Sequence, residues 1–244
     1  MTATKKFVYA ATLPQLLRCN FGAHCRNRSW LSSKPWKENS MTKYVLIDTE
    51  TTGLFDMSQP SDAEGQPRMA SLALIVWDSE YPETTTELDF LIRPDGWTMP
   101  PEAEAINGLS QAALEAHGVP VAEALDAYTD AILSGHIMTA YNAQYDGRVM
   151  RGELRRAGRD DMFEQTPNTC LMRSCMSAMK GRRKVGAKGF PKLSEAAEFF
   201  KVEHSEVHTA MGDARAALGI LRALGGNLIP PKVHYAKDKP EVAA

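Results

Sequence analysis

Residues 44–54 read YVLIDTETTGL, and this stretch decides the fold more than any other part of the chain. Its first four residues are apolar, which is typical of a buried β-strand. Asp48 and Glu50 follow two positions apart, so they point to the same face of the strand. Two carboxylates this close repel each other unless one is protonated or a cation neutralises them. The pattern therefore favours Mg²⁺ or Mn²⁺ at the end of a core strand. The alternative is a strand that ends in solvent with two hydrated acids.

Composition limits the possible classes of protein. The chain has 244 residues and a formal net charge of −2, so any attraction to nucleic acid must be local. Its apolar stretches are too short to span a bilayer, and we expect no membrane association. The four cysteines, Cys19, Cys25, Cys170 and Cys175, lack zinc-knuckle spacing and are too few for a disulfide framework. We therefore expect a reducing, cytoplasmic setting.

Three regions differ in sequence character. Residues 1–40 are basic, with Glu38 as their one acid, and we expect a disordered leader or an extension upstream of a start at Met41. An organellar transit peptide is the alternative for this region. Residues 41–226 are predicted to form the folded domain, and residues 227–244 a loose tail.

Periodicity and turn residues predict an α/β fold in which a mixed sheet is flanked by helices. The predicted strands after the first lie near 68–78, 86–92 and 136–141. The predicted helices are Gln111–Ala116 with Ser110 as its cap, Val121–Leu133, 143–157 with Asn142 as its cap, Leu193–Phe200 and Thr209–Leu224.

Two further acids are candidates for the same site. Asp146 falls in the first turn of a predicted helix, where an ordinary acid would also complement the helix dipole. Asp213 lies five residues after His208, and it could equally be an exposed helical acid. His204 and His208 have the spacing of a helical zinc pair, but Ser205 stands where the zinc-protease pattern needs Glu, so we reject a zinc site.

Together these residues resemble a known family. Asp48-x-Glu50, Asp146 in YNAQYD (141–146) and His208-x4-Asp213 are similar to the three exonuclease motifs of the DnaQ-like, DEDDh 3′–5′ exonucleases. That family includes the proofreading subunit of bacterial DNA polymerase III. The similarity covers residues 43–224 in order and spacing, and Thr209 stands where the tyrosine-type sister group has Tyr. The resemblance implies an RNase H-like fold and two-metal hydrolysis of a phosphodiester at a 3′ end.

The resemblance also implies a role for each motif residue. Asp48 would bridge two Mg²⁺ ions, for which Mn²⁺ can substitute. Glu50 and Asp213 would complete the ion beside the attacking water, and Asp146 would support the second ion. His208 would act as the general base, and the product would be a 5′-mononucleotide.

Contacts to the substrate follow from the same resemblance. It implies nucleotide-binding roles for Thr51, Thr52, Leu54, Ile106, Asn107, Asn142 and Tyr145. Many relatives have His where this chain has Asn107. The alternatives are turn formation for Asn107, helix capping for Asn142, and core packing for Leu54 and Tyr145.

A basic stretch adds a local electrostatic feature. Residues 180–192 contain six Lys or Arg residues and no acid. We predict that Arg182, Arg183 and Lys184 contact the phosphates of a bound strand, although a charged run can also be a solvated loop.

The leading hypothesis is a 3′–5′ exonuclease that acts on single-stranded DNA, in proofreading or DNA repair. A proofreading role would require a DNA polymerase partner in trans. The alternatives are an exoribonuclease acting on RNA 3′ ends and, from another class, an inactive nucleic-acid-binding or polymerase-docking module.

Overall fold

The computed structural model describes residues 43–233 except 164, 183–187 and 207–208. In this part of the chain, five strands form one sheet in the order β3-β2-β1-β4-β5. Antiparallel pairing joins β1 to β2 and β2 to β3, whereas β1 to β4 and β4 to β5 are parallel. The strands are β1 (Lys43–Thr51), β2 (Met69–Asp78), β3 (Thr86–Leu91), β4 (Ile137–Ala140) and β5 (Asn168–Cys170).

Helices flank this sheet, which confirms the predicted fold class. Those in the described residues are α1 (Pro101–Asn107), α2 (Gln111–His117), α3 (Val121–Leu133), α4 (Ala143–Arg156), α5 (Leu171–Ala178), α6 (Leu193–Phe200) and α7 (Ala210–Leu224). The predictions located β1 to β4 and five of these helices, and they missed α1, α5 and β5. In none of the described helices is there an apolar run long enough to cross a membrane.

The residues of β1 alternate between two cores. Tyr44 and Leu46 pack with residues of α5, α6 and α7 on one face. Val45 and Ile47 pack with residues of α3 and α4 on the other. The same alternation directs Asp48 and Glu50 to the α7 side, and Thr49 to the α4 side. The apolar half of β1 therefore anchors the strand, and its polar half lies between two helices.

The sheet topology brings three chain segments to one edge. Because β1 and β4 are parallel neighbours, their carboxyl ends meet at the same edge, where open α/β sheets usually bind ligands. Helix α4 begins three residues after β4, so its first turn lies beside the end of β1. Val149, Met150 and Leu154 are buried on the predicted inner face of α4.

The capping predictions had mixed outcomes. Ser110 caps α2 as predicted, because its hydroxyl accepts a hydrogen bond from the backbone N–H of Ala113 at 3.1 Å. The prediction for Asn142 was wrong: this residue occupies the N-cap position of α4, but its side chain makes no capping hydrogen bond. Thr209 caps α7 by accepting from the N–H of Gly212 at 3.1 Å.

The predicted leader, residues 1–40, lies outside the described residues, as do residues 234–244 of the predicted tail. Within the described part of that tail, Lys232 exchanges two backbone hydrogen bonds with Asn168 of β5, at 3.0 and 3.1 Å. The proposed domain boundaries remain predictions.

Candidate active site

Four predicted acids come together from three elements. Asp48 and Glu50 lie near the end of β1, Asp146 in the first turn of α4, and Asp213 in the first turn of α7. Burial raises the pKa of Asp48 well above its usual range, and the charges of Asp146, Asp213 and Glu50 raise it further. Burial, then Asp213 and Asp146, raise the pKa of Glu50 to about 7. The neighbouring carboxylates therefore lie close enough to oppose the ionisation of Asp48 and Glu50.

Asp146 is held by a residue that the sequence reasoning missed. Its Oδ1 accepts hydrogen bonds from the backbone N–H of Thr49 at 3.1 Å and from the Thr49 hydroxyl at 2.9 Å. Burial raises the pKa of Asp146 to about 7 even though both hydrogen bonds favour the ionised form. Strand alternation assigns Thr49 to the core face, and only the position of α4 shows that this face reaches Asp146.

Asp213 has a partner that was also missed. Nε2 of His204 lies 2.6 Å from Oδ1 of Asp213, and the His204 side chain is only 8% exposed. From the sequence, His204 was considered only as a possible zinc ligand together with His208. His208, the predicted general base, lies outside the described residues, directly before the N-cap of α7. Its role remains a prediction.

The donor set fits divalent cations by its chemistry. In the part of the chain that the structure describes, neither Lys nor Arg forms an ion pair with Asp48, Glu50 or Asp146. Hard carboxylate oxygens without a cationic neighbour are the ligands that Mg²⁺ and Mn²⁺ prefer. No three acidic, His or Cys side chains among the described residues already surround one point as a finished metal centre.

The segment after β1 is fixed by hydroxyl groups. The Thr51 hydroxyl lies 2.7 Å from the Tyr145 hydroxyl, and both lie within 2.9 Å of the carbonyl oxygen of Gly53. The Thr52 hydroxyl accepts from the backbone N–H of Arg68 at 2.8 Å. Three predicted substrate residues thus hold the backbone that leads to Leu54.

Two exposed apolar side chains belong to the segment after β1 and to α1. Leu54 is 88% exposed and Ile106 is 68% exposed. The amide of Asn107 is buried, donates to the carbonyl oxygen of Thr51 at 3.3 Å and accepts from the N–H of Leu109 at 3.0 Å. Asn107 therefore ties the end of α1, which carries Ile106, to the end of β1, which leads to Leu54.

Asn142 and Arg182 are engaged within the protein. The carbonyl oxygen of Asn142 accepts from the N–H groups of Tyr145 and Asp146, at 2.8 and 3.2 Å. The guanidinium of Arg182 donates to the carbonyl oxygen of Ala178 and lies 5.0 Å from the ring centroid of Phe199. Arg183 and Lys184 lie outside the described residues. The predicted contacts of these residues with a substrate remain predictions.

A mixed sheet flanked by helices, with acids from β1, α4 and α7 at one edge, is the RNase H-like α/β fold. The exonuclease family model RNase_T matches residues 45–221, so the chain belongs to this exonuclease family. This confirms the predicted membership among the DEDD-type exonucleases.

Individual relatives agree with this assignment. A Mycobacterium tuberculosis protein named for bifunctional exonuclease and endonuclease activity is 25% identical over 206 residues, which cover 83% of this chain and 29% of that protein. Escherichia coli exonuclease I, in complex with a dT13 oligonucleotide, is 23% identical with a TM-score of 0.58, covering 75% of this chain and 40% of its own. Cell-death related nuclease 4 is 12% identical with a TM-score of 0.59, and the match covers 75% of this chain and 64% of that protein. The chain spans less than a third of the curated relative.

Proposed function

We propose that the protein is a metal-dependent 3′–5′ exonuclease that removes 5′-mononucleotides from single-stranded DNA. The observation that carries the proposal is the meeting of Asp48, Glu50, Asp146 and Asp213, whose proximity and burial raise the pKa of the first three. Buried carboxylates that repel one another are unfavourable when they ionise without a bound cation. Such an arrangement is expected where cations or reacting groups bind.

The acids would hold two Mg²⁺ ions, for which Mn²⁺ can substitute. When bound, such ions supply positive charge to the attacking and leaving oxygens of the phosphodiester. Asp48 is central because its pKa responds to the three other carboxylates, and Thr49 holds one oxygen of Asp146 by hydrogen bonds. His208 would take the proton from the attacking water as a general base.

The terminal nucleotide would lie against the segment after β1. Leu54 and Ile106 present exposed apolar side chains against which the apolar face of a base can pack without regard to its identity. The Thr51, Tyr145 and Gly53 cluster fixes the backbone beneath them. That E. coli exonuclease I binds a dT13 oligonucleotide supports single-stranded DNA as the substrate class. The basic residues near Arg182 would contact phosphates further along the strand.

The biological setting is part of the proposal. We place the activity in the cytoplasm, in DNA repair or in proofreading with a polymerase in trans. Co-purification of the full chain with a DNA polymerase would separate the second role from the first.

Polarity and polymer can be tested together. DNA and RNA oligonucleotides of one sequence, labelled at the 5′ end, are incubated with the full chain in Mg²⁺ or in EDTA. The proposal predicts a ladder of shortening DNA fragments in Mg²⁺ and intact DNA in EDTA. Immediate release of a labelled mononucleotide would show the opposite polarity, and a ladder from RNA alone would make the enzyme an exoribonuclease. Binding without cleavage of either polymer would contradict the enzyme assignment.

A further inference from the structure

The segment between α6 and α7 lies directly on the backbone of α7. We call residues 201–206 the strap. A Cβ added to Gly219 would lie 2.4 Å from Cγ1 of Val202, and one added to Gly212 would lie 2.1 Å from the carbonyl oxygen of Glu206. Gly212 and Gly219 are seven residues apart, so they share one face of the helix. The two glycines therefore let the strap approach α7 closely at both of its ends.

Polar contacts hold the end of the strap next to the site. Oε2 of Glu206 lies 3.0 Å from a guanidinium nitrogen of Arg215, one helical half-turn beyond Asp213. The same guanidinium lies 2.7 Å from Oε2 of Glu87 in β3. The carbonyl oxygen of Glu206 also accepts from the N–H of Thr209 at 3.3 Å. The ion pairs are exposed and individually weak, but they connect the strap to both α7 and the sheet.

His204 lies between these two ends and reaches the acid cluster. Its Nε2 is 2.6 Å from Oδ1 of Asp213, within the range of a charge-assisted hydrogen bond. A carboxylate that binds a cation can only accept a hydrogen bond, so the tautomer of His204 that carries its proton on Nε2 would be the donor in this contact. The imidazole of His204 is nearly buried, which restricts the orientations that the ring can adopt. One oxygen of Asp213 is therefore held, and among the described residues no hydrogen bond engages the other, which a cation could bind.

We propose that His204 is a positioning residue that orients Asp213 for cation binding. Without this contact, repulsion from Asp48 and Glu50 would favour conformers of Asp213 that turn away from them. His204 offsets that repulsion with a hydrogen bond from a side chain that the strap already holds in place. The inference rests on the proposed function, because it assigns Asp213 to the cation site. It gives His204 a role separate from that of His208, which acts on the water.

Direct binding of Mn²⁺ to the full chain, measured by titration calorimetry, tests the proposal. Removal of an outer hydrogen-bond partner of a metal ligand commonly weakens affinity by about 10-fold to 100-fold. We therefore expect His204→Ala to weaken Mn²⁺ binding about 10-fold or more. His204→Gln should retain near wild-type affinity, because its amide nitrogen reaches as far as Nε2. His204→Asn, of similar polarity but shorter, should behave like His204→Ala even if the alanine variant folds poorly.

Activity provides a second measurement. The Mg²⁺ concentration for half-maximal hydrolysis should rise in His204→Ala, and saturating Mg²⁺ should recover most of the rate. His208→Ala should show the opposite pattern, with unchanged Mn²⁺ affinity and a rate that Mg²⁺ does not recover.

Asp48→Asn separates the two possible failures. If Asp48→Asn abolishes Mn²⁺ binding while His204→Ala and His204→Asn bind as the wild type does, the role of His204 is refuted and the cation site stands. If Asp48→Asn binds Mn²⁺ as the wild type does, the cation site is refuted, and the role of His204 with it.

Discussion

Glu50 destabilises the cation-free protein when it ionises, and replacing it should therefore increase stability. Its pKa is raised from 4.5 to about 7 by burial and by Asp213 and Asp146. The folded state thus binds more protons at Glu50 than the unfolded state between these values, so the contribution of Glu50 to stability is greatest below pH 4.5 and is lost as the pH rises through 7. A shift of this size corresponds to roughly 3 kcal/mol once the group is fully ionised. Glu50→Gln removes the charge and keeps the shape, so it should recover up to about 3 kcal/mol at pH 8 and almost nothing at pH 4.5.

The assay is urea unfolding of wild type and Glu50→Gln in EDTA at several pH values. Thermal unfolding should show a rise of about 6–12 °C in Tm at pH 8 for a domain of this size. Glu64→Gln is a matched control, because Glu64 is exposed in the loop after β1 and should change stability little at any pH. Saturating Mg²⁺ should stabilise the wild type and reduce the difference, and Glu50→Gln should have lost most hydrolytic activity. A difference between wild type and variant that is the same at pH 4.5 and pH 8 would refute the reasoning.

Three further predictions concern neighbouring residues. Thr49→Val removes the hydroxyl that donates to Asp146, so the pKa of Asp146 should rise further and Mn²⁺ affinity in calorimetry should fall about 10-fold; unchanged affinity would show that the backbone N–H suffices. Leu54→Ala should raise the KM for single-stranded DNA while leaving Tm unchanged, and Leu133→Ala, an equivalent change at an exposed position on α3, should alter neither; a KM shift in both variants would argue against a base-binding role for Leu54. Glu153→Gln should lower the free energy of unfolding by about 2–3 kcal/mol, because buried Glu153 accepts from Arg68, Arg156 and the N–H of Met69; an unchanged urea midpoint would contradict this.

Local pattern predicted the parts of the fold that local physics determines. Strand β1 has an apolar half and a polar half, and α3 has a long amphipathic period, so both were located correctly. Helix α1 was missed because two adjacent prolines, Pro100 and Pro101, are more typical of a break in the chain than of a helix. Pro101 in fact occupies the first turn of α1. Proline is compatible with this position because it has no backbone N–H to satisfy and its φ is already helical. Strand β5 has only three residues and depends on pairing with β4, which no local pattern encodes.

In the candidate site, too, features encoded locally could be predicted and features that depend on tertiary packing could not. The acids could be predicted because each lies in a motif, and the sheet topology brings those motifs to one edge. The hydrogen-bond partners of the acids could not be predicted, because they are distant in sequence. Thr49 lies 97 residues from Asp146, and His204 lies 9 residues from Asp213. Thr49 points away from Asp48 on its own strand, and His204 precedes α7 in a segment without regular structure. Their roles follow from how α4 and the strap pack against their neighbours, which is a tertiary property.

The central claim is that carboxylates from β1, α4 and α7 form one cation-dependent hydrolytic site. The most direct measurement is single-turnover cleavage of a 5′-labelled DNA strand by wild type and Asp48→Asn, each in saturating Mg²⁺ and each verified as folded. The amide of Asn keeps the size of the side chain. It removes the carboxylate whose pKa is raised by the three other acids. The account predicts Mg²⁺-dependent stepwise shortening by wild type and at least a 100-fold slower rate for Asp48→Asn, the scale seen when an electrostatic element of a catalytic site is removed. Cleavage by Asp48→Asn at the wild-type rate would contradict it.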